Sequence, residues 1–245
     1  MRAAALLAAS TVWLIAGSAS AEAEAEIEAA VVAASRNDTR IPGNTGTQLS
    51  LVDDLSTSAA PAFRVRLGYR IAGRHLISAL YAPLQVYARG TVDRDIEFLD
   101  ATYPAGRPLL AVYRFDSYRL TYRYSIVWDD GLDVGVGFTA KIRSAETSLY
   151  GVEARRKTNI GFVPLLNAHV EWQPSGSAFG LVLDIDALAA PQGRAADLLV
   201  AATWAVRENL ELRTGYRMVE GGADNDEVYS FAWFHYAVVG LKITV

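Results

Sequence analysis

The chain has no cysteine. That excludes a disulfide framework, a thiolate metal centre and acylation at a signal-peptide cysteine. It has only three histidines, His75, His169 and His235, so imidazole-based catalysis has few places to reside. Cationic excess is missing too: 23 Lys and Arg stand against 27 Asp and Glu, which argues against a nucleic-acid partner. After the first residues no apolar run approaches the ~20 residues of a membrane-spanning helix. Yet 51% of the chain is apolar. Such a chain must place its apolar surface in strands or in a large core.

The start is an address. Arg2 precedes an apolar run from Ala3 to Ala16, and Ala19-Ser20-Ala21 offers small residues before the acidic Glu22, Glu24, Glu26 and Glu28. This reads as a secretory signal, residues 1–21, cleaved near Ala21, ahead of one domain at 22–245. Removing residues 1–21, which carry a single cation, leaves a net charge of about −5. β-Barrels of about 200 to 250 residues are commonly single units.

What is present is alternation. Tyr118, Leu120, Tyr122, Tyr124, Ile126 and Trp128 share one parity, with Ser117, Arg119, Thr121, Arg123 and Ser125 on the other. After Asp129-Asp130-Gly131 the pattern resumes, Leu132, Val134, Val136, Phe138, Ala140 and Ile142 against Asp133, Gly135, Gly137, Thr139, Lys141 and Arg143. Successive strand side chains point to opposite faces, so this is a hairpin with one apolar face and one polar face, closed by a tight turn. In a soluble sandwich the apolar face meets a core; in a membrane barrel it meets lipid and the polar face lines the lumen.

The same period predicts ten strands. The first runs from about Ile27; Phe63–Ile71 and His75–Tyr87 follow, the latter with Leu76, Leu80, Leu84 and Val86 outward, Tyr81, Gln85 and Tyr87 inward, and a bulge or distorted edge at Pro83. After the central hairpin come Phe162–Trp172, a strand from Phe179 to Ala187, one from Leu198 to Val206, one from Leu210 to Met218, and the last, ending Val239–Val245. Stretches 36–61, 88–110 and 144–159 have loop composition, and Leu49–Leu55 is an apolar piece suited to folding over a barrel mouth. Turns near Ala72, Asp129, Ser175 and Glu208 are short, and the connections between them are mostly long. Trp128, Trp172 and Trp204 each precede a short turn, as a belt at one membrane interface requires. Phe63, Phe162, Tyr229 and Phe231 lie at the opposite ends and suit an outer girdle. These features predict an all-β fold, an antiparallel up-and-down transmembrane barrel of about ten strands, with 8 or 12 possible, short periplasmic turns and long extracellular loops.

The signal ending in Ala19-Ser20-Ala21, the amphipathic hairpins and the alternating Val239–Val245 together resemble the small Gram-negative outer-membrane β-barrel proteins, of the general OmpA-like or OmpW-like kind. The resemblance implies an outer-membrane location, contact with outer-membrane lipid, and recognition by the barrel-assembly machinery through the C-terminal strand. The strand departs from the usual pattern in ending at Val245 and not at an aromatic residue.

The expected lumen carries Arg64, Arg66, Arg70, Arg119, Arg123, Lys141, Arg143, Arg213, Arg217 and Lys242 against Asp133, Glu171, Asp184, Asp186, Asp197 and Glu211, with His169 beside Glu171. Ten cations against six anions suit a narrow, anion-leaning pore for a small polar solute; the same residues also suit a salt-bridged plug. No metal-ligand spacing stands out and no cofactor is implied. Gly135 and Gly137 have no helix after them and read as small lumen residues. His235 near Ser230 and His169 near Glu171 form no catalytic motif, so the expectation is a non-enzyme with a structural, surface-interaction or narrow-pore role. The alternatives are an outer-membrane enzyme acting on lipid or peptide, and a soluble secreted sandwich or lipocalin-like binder.

Overall fold

The computed structural model describes residues 21–191 and 193–245. The expected signal, apart from Ala21, lies outside the described residues. Those described form only strands, turns and loops: β1 (Ala21–Arg40), β2 (Leu49–Ser50), β3 (Ser56–Thr57), β4 (Ala60–Ile71), β5 (His75–Ala82), β6 (Gln85–Thr91), β7 (Ile96–Phe98), β8 (Ala101–Tyr103), β9 (Pro108–Asp129), β10 (Leu132–Tyr150), β11 (Ala154–Trp172), β12 (Phe179–Ala190), β13 (Gly193–Arg207), β14 (Leu210–Asp224) and β15 (Tyr229–Thr244). Each long strand pairs antiparallel with the next, and β15 pairs back onto β1 from Glu24↔Thr244 to Arg40↔Tyr229. β5 and β6 together form one staff. The result is a closed antiparallel barrel of ten strands, so no second sheet covers the outward face. Closure satisfies the backbone donors and acceptors that an open sheet edge would leave bare.

Turn chemistry follows the sequence. Gly73 and Gly131 hold positive φ at two of the short turns, a conformation L side chains rarely adopt. The outward parity exposes large apolar residues all round, among them Ile27, Leu67, Leu120, Phe138, Leu166, Leu181, Val200 and Val239. An apolar band of this extent has no place in water.

Five expectations need correction. The first strand begins at Ala21, not near Ile27, so Glu22 to Glu28 belong to the sheet. Residues 144–159 are not a loop: β10 and β11 pair without a register shift up to Tyr150↔Ala154. Above the membrane both faces of a strand are wet, so Thr, Ser, Arg and Lys occupy both parities and the period-two signal disappears. The other correction to loop length is similar, since β1 continues to Arg40 and stretches 36–61 and 88–110 contain β2, β3, β7 and β8. Pro83 creates no bulge, because Ala82↔Ser117 and Gln85↔Arg114 keep one register across it. It sits where β5 ceases to pair with β4, a place that needs no donor.

The facing of β5 and β6 is the reverse of that expected. Leu76, Leu80, Leu84 and Val86 are buried inside, while Tyr81 and Tyr87 face out. For Leu84 and Val86 the reason is that the cap end of the lumen is apolar, whereas Leu76 and Leu80 lie inside beside the ion pairs, cross-strand from Arg70 and Arg123 and from Arg66 and Arg119. Leu49, Leu51 and Leu55, with Ile96, Phe98 and Tyr103 of the β7–β8 hairpin, pack into the barrel mouth against Val86, Leu109 and Leu149. Backbone bonds tie this cap down, from Leu51 N to Asn37 O (2.7 Å), Thr47 N to Glu97 O (2.9 Å) and Leu99 N to Ile41 O (2.8 Å). With apolar residues demanded on both faces of one strand, alternation alone cannot say which is which.

Candidate functional site: a lumen in two halves

From the short turns up to the level of Asp186↔Asp197, next to the last β11–β12 pair, the lumen is filled by charge. Arg119 donates to Asp186 (2.8 Å) and Asp197 (2.6 Å), Arg217 to Asp197 (2.6 Å) and Glu28 (2.7 Å), and Arg64 to Asp197 (2.9 Å). Asp197 thus holds three guanidinium groups. A neighbouring cluster joins Arg213 to Glu211 (2.6 Å), Glu171 (3.1 Å) and Glu26 (3.5 Å), with Lys242 also on Glu171 (3.3 Å). Arg70 reaches Glu24 (2.9 Å) and Asp133 (3.3 Å). Asp184 receives Arg123 (3.5 Å) and Arg66 (3.9 Å) and lies 3.5 Å from His169, whose other ring nitrogen is 3.6 Å from Glu171. Thr139 and Asn167 complete the polar shell of Asp186. Gly135 leaves the room that the stem of Arg123 takes up: a Cβ there would meet its Cδ at 2.8 Å.

Glu24, Glu26 and Glu28 were not among the expected lumen anions. Their signal is in the Glu-Ala alternation; Glu24 and Glu26 precede the expected start near Ile27, and Glu28 lies inside that strand on its inward parity. With them, eight cations meet nine carboxylates, and no cationic excess remains in this half. Burial of charge is tolerable only when paired in this way.

Two expected lumen cations stand apart. Lys141 is 3% exposed and has no carboxylate within ion-pair distance among the described residues; its Nζ lies 4.8 Å from the centre of the Phe115 ring. Arg143 bonds the Asn159 amide oxygen and likewise has no acidic partner among the described residues. Both line a cavity of about 340 Å³ in the cap half, whose walls are mainly apolar and include Ile41, Tyr113, Phe115, Val219 and Phe234; its other charged lining groups are paired, Arg194 with Glu220 (2.6 Å), Glu146 with Arg114 (3.3 Å) and Lys157 with Glu227 (3.3 Å). That size falls at the lower end of small-molecule sites.

The cavity reaches the barrel wall where the wall is incomplete. β11 and β12 pair only from Trp172↔Leu181 to Leu166↔Ala187. Beyond Leu166, β11 continues for twelve residues paired to β10 alone. Phe162, Val163 and Pro164 on one lip, and Leu188 and Ala190 on the other, line both the gap and the cavity. Pro164, which has no N–H to give, stands two residues past the last pair.

On the outward face Trp128, Trp172 and Trp204 are exposed near the short-turn end. At the cap end Phe63 and Phe162 are exposed, and cations overlie the other two girdle rings. Arg36 and Arg194 each lie 5.4 Å from the Phe231 centroid, and Arg40 lies 5.0 Å from that of Tyr229. His75 bonds Tyr122 at 2.9 Å. His235 does not meet Ser230; it lies between Tyr216 and Ser35. Ser35 is two hundred positions away, which no spacing rule reaches.

No family model matches the sequence, and no curated protein matches it. Among solved structures, the outer membrane protease OmpT from Escherichia coli aligns over 91% of this chain and 97% of its own, with a TM-score of 0.57 at 10% identity. The fold is that of an outer-membrane β-barrel. Two outer-membrane barrel chains of weaker similarity are the attachment invasion locus protein Ail of Yersinia pestis (TM-score 0.40, 8% identity, 91% of this chain, 98% of that one) and Neisserial surface protein A (0.34, 13%, 92% and 97%). Identity this low speaks to the fold of the outer-membrane barrel and to nothing finer.

Proposed function

We propose that this chain is an integral protein of the bacterial outer membrane, its short turns periplasmic, that holds a small anionic amphiphile in the outer half of its lumen and does not conduct. One observation carries the reading: a mainly apolar cavity with two cations that lack acidic partners among the described residues, open sideways through an unpaired stretch of wall. A carboxylate or phosphate head answers Lys141 and Arg143, and an apolar tail answers the Phe115, Tyr113 and Phe234 walls. Leu166 stands six residues from the Trp172 belt, roughly 15 Å along the membrane normal at ordinary strand rise and tilt. The gap therefore starts in the outer half of an apolar band about 25 Å tall. Unpaired backbone at that depth is costly unless something covers it, which supports an occupant at the slot. The charged periplasmic half supports retention and argues against passage.

The test uses the folded barrel in detergent with a fluorescent dodecanoate and its neutral dodecanol counterpart. The acid is expected to bind at least about tenfold more tightly, and Lys141→Met with Arg143→Met to remove that preference, which corresponds to about 1.4 kcal/mol. Equal binding of acid and alcohol, or preference unchanged in the double variant, would overturn the reading.

A further inference from the structure

Independently of the cavity, we infer that the outward face carries a serine hydrolase site, Ser35–His235–Tyr216, acting on acyl esters of phosphate-bearing membrane amphiphiles. Ser35 Oγ lies 2.7 Å from His235 Nε2, and Tyr216 Oη lies 2.6 Å from His235 Nδ1. With Nδ1 carrying its proton toward Tyr216, Nε2 is left to accept the proton of the serine. This is the relation of nucleophile, base and orienting group that activates a hydroxyl.

The surroundings are built to hold it. The imidazole is clamped between two rings, Trp233 at 5.8 Å and 24° and Tyr216 at 5.9 Å and 28°. The ladder between β1 and β15 shifts register between Ala34 and Arg36, opposite Phe234 and Trp233. Before the shift the buried positions are even (Glu28, Val32); after it Asn37, Asp38 and Thr39 are all buried. The extra residue turns Ser35 and Arg36 consecutively outward, the kind of re-aiming for which bulges serve near active sites. Arg36 lies over Phe231 and beside the Tyr229 hydroxyl (3.0 Å), next to Arg40 and Arg194. The serine thus sits immediately below an aromatic rim in which Arg36 is paired with Asp38 (2.7 Å) and Arg194 with Glu220 (2.6 Å), while Arg40 has no acidic partner among the described residues and can answer a phosphate head, at the level where acyl esters of an outer leaflet lie.

His75 supplies the contrast. It is also outward, but its only hydrogen bond among the described residues is to Tyr122, with no serine on the second nitrogen. A satisfied surface imidazole needs no more than that. His235 has a nucleophile in place.

The chemistry closes without a cofactor. Ser35 Oγ attacks the ester carbonyl carbon as its proton passes to His235 Nε2. The carbon–oxygen bond to the alcohol breaks, that oxygen takes the proton from His235, and the acyl group stays on Ser35. Water, deprotonated by the same nitrogen, then attacks the acyl-serine, releasing a carboxylic acid and restoring the hydroxyl.

The experiment takes the full folded chain, its folding verified by a mobility shift on boiling, into vesicles. A fluorophosphonate probe is applied and the adduct mapped; in parallel, acid release is followed from phosphatidylglycerol vesicles and from lipopolysaccharide. Expected are an adduct on Ser35 in the wild type, and acid release from one amphiphile, which names the source. Ser35→Ala and His235→Gln should lose about 100-fold or more in rate, and His75→Gln none. Tyr216→Phe should lower kcat more than it raises KM and displace the pH profile, a readout that a purely structural tyrosine would not move. No adduct together with no acid from either amphiphile, or wild-type rates in folded Ser35→Ala, would overturn the assignment.

Discussion

From the short turns past its middle the lumen is filled by ion pairs, and its cap end by leucine, isoleucine, phenylalanine and tyrosine brought in by loops. Both fill space, but they constrain the barrel differently. An ion-pair plug is interlocked: Asp197 joins β4, β9 and β14 to β13, so removing it takes one carboxylate from three guanidinium groups at once. An apolar cap gives way one side chain at a time, and it tolerates a cavity at its margin. The proposed ligand site lies where packing is incomplete and charge lacks a carboxylate partner, at the cap end.

The contrast is broken most severely at Asp197. Asp197→Asn leaves Arg64, Arg119 and Arg217 facing one another without their shared carboxylate, and the expected loss is about 3–5 kcal/mol in the urea stability of the barrel in vesicles. A loss below about 1 kcal/mol, the scale of a surface pair, would mean the plug is not interlocked. In the outer half, Leu51→Ala should cost about 2–4 kcal/mol of cap stability and show as faster proteolysis within 41–58, with the barrel still shifting on boiling. Lys141→Met replaces an ion lacking a carboxylate partner in an apolar wall, so it should leave stability equal or raised while weakening dodecanoate binding; a large destabilisation would show that the lysine has a partner role in the fold.

The smallest effect concerns acid. The Arg94 hydrogen bonds hold the loop carboxyl of Asp54 below its ordinary value of 3.8. A group with a lowered value stabilises the fold above its unfolded value and loses that contribution as pH falls through the folded one. The cap should therefore become easier to cleave below about pH 4 at Ser50–Leu55, and Asp54→Asn should show that susceptibility already at pH 7.

The contrast also explains what the sequence could tell. Where one face is wet or charged and the other apolar, as in Tyr118–Trp128, alternation revealed strand, facing and lumen residues together. Where both faces are apolar, as in β5 and β6, it revealed the strand and inverted the facing. Where both are polar, as in 144–159, it concealed the strand. The plug's cations were legible, but Glu24 and Glu26 were lost with the misplaced start of β1, and Glu28, inside the expected strand, had not been assigned to the lumen. The cavity and the Ser35–His235 pair were not legible at all. They depend on a register gap between β11 and β12 and on a bulge that brings positions from opposite ends of the chain together.

The most direct test of the two-half lumen is single-channel recording of the folded barrel in a planar bilayer. The account predicts silence at both polarities, since the plug consists of paired charges that are almost fully buried. Stepwise currents with anion preference would contradict it and make the arginines the lining of a pore.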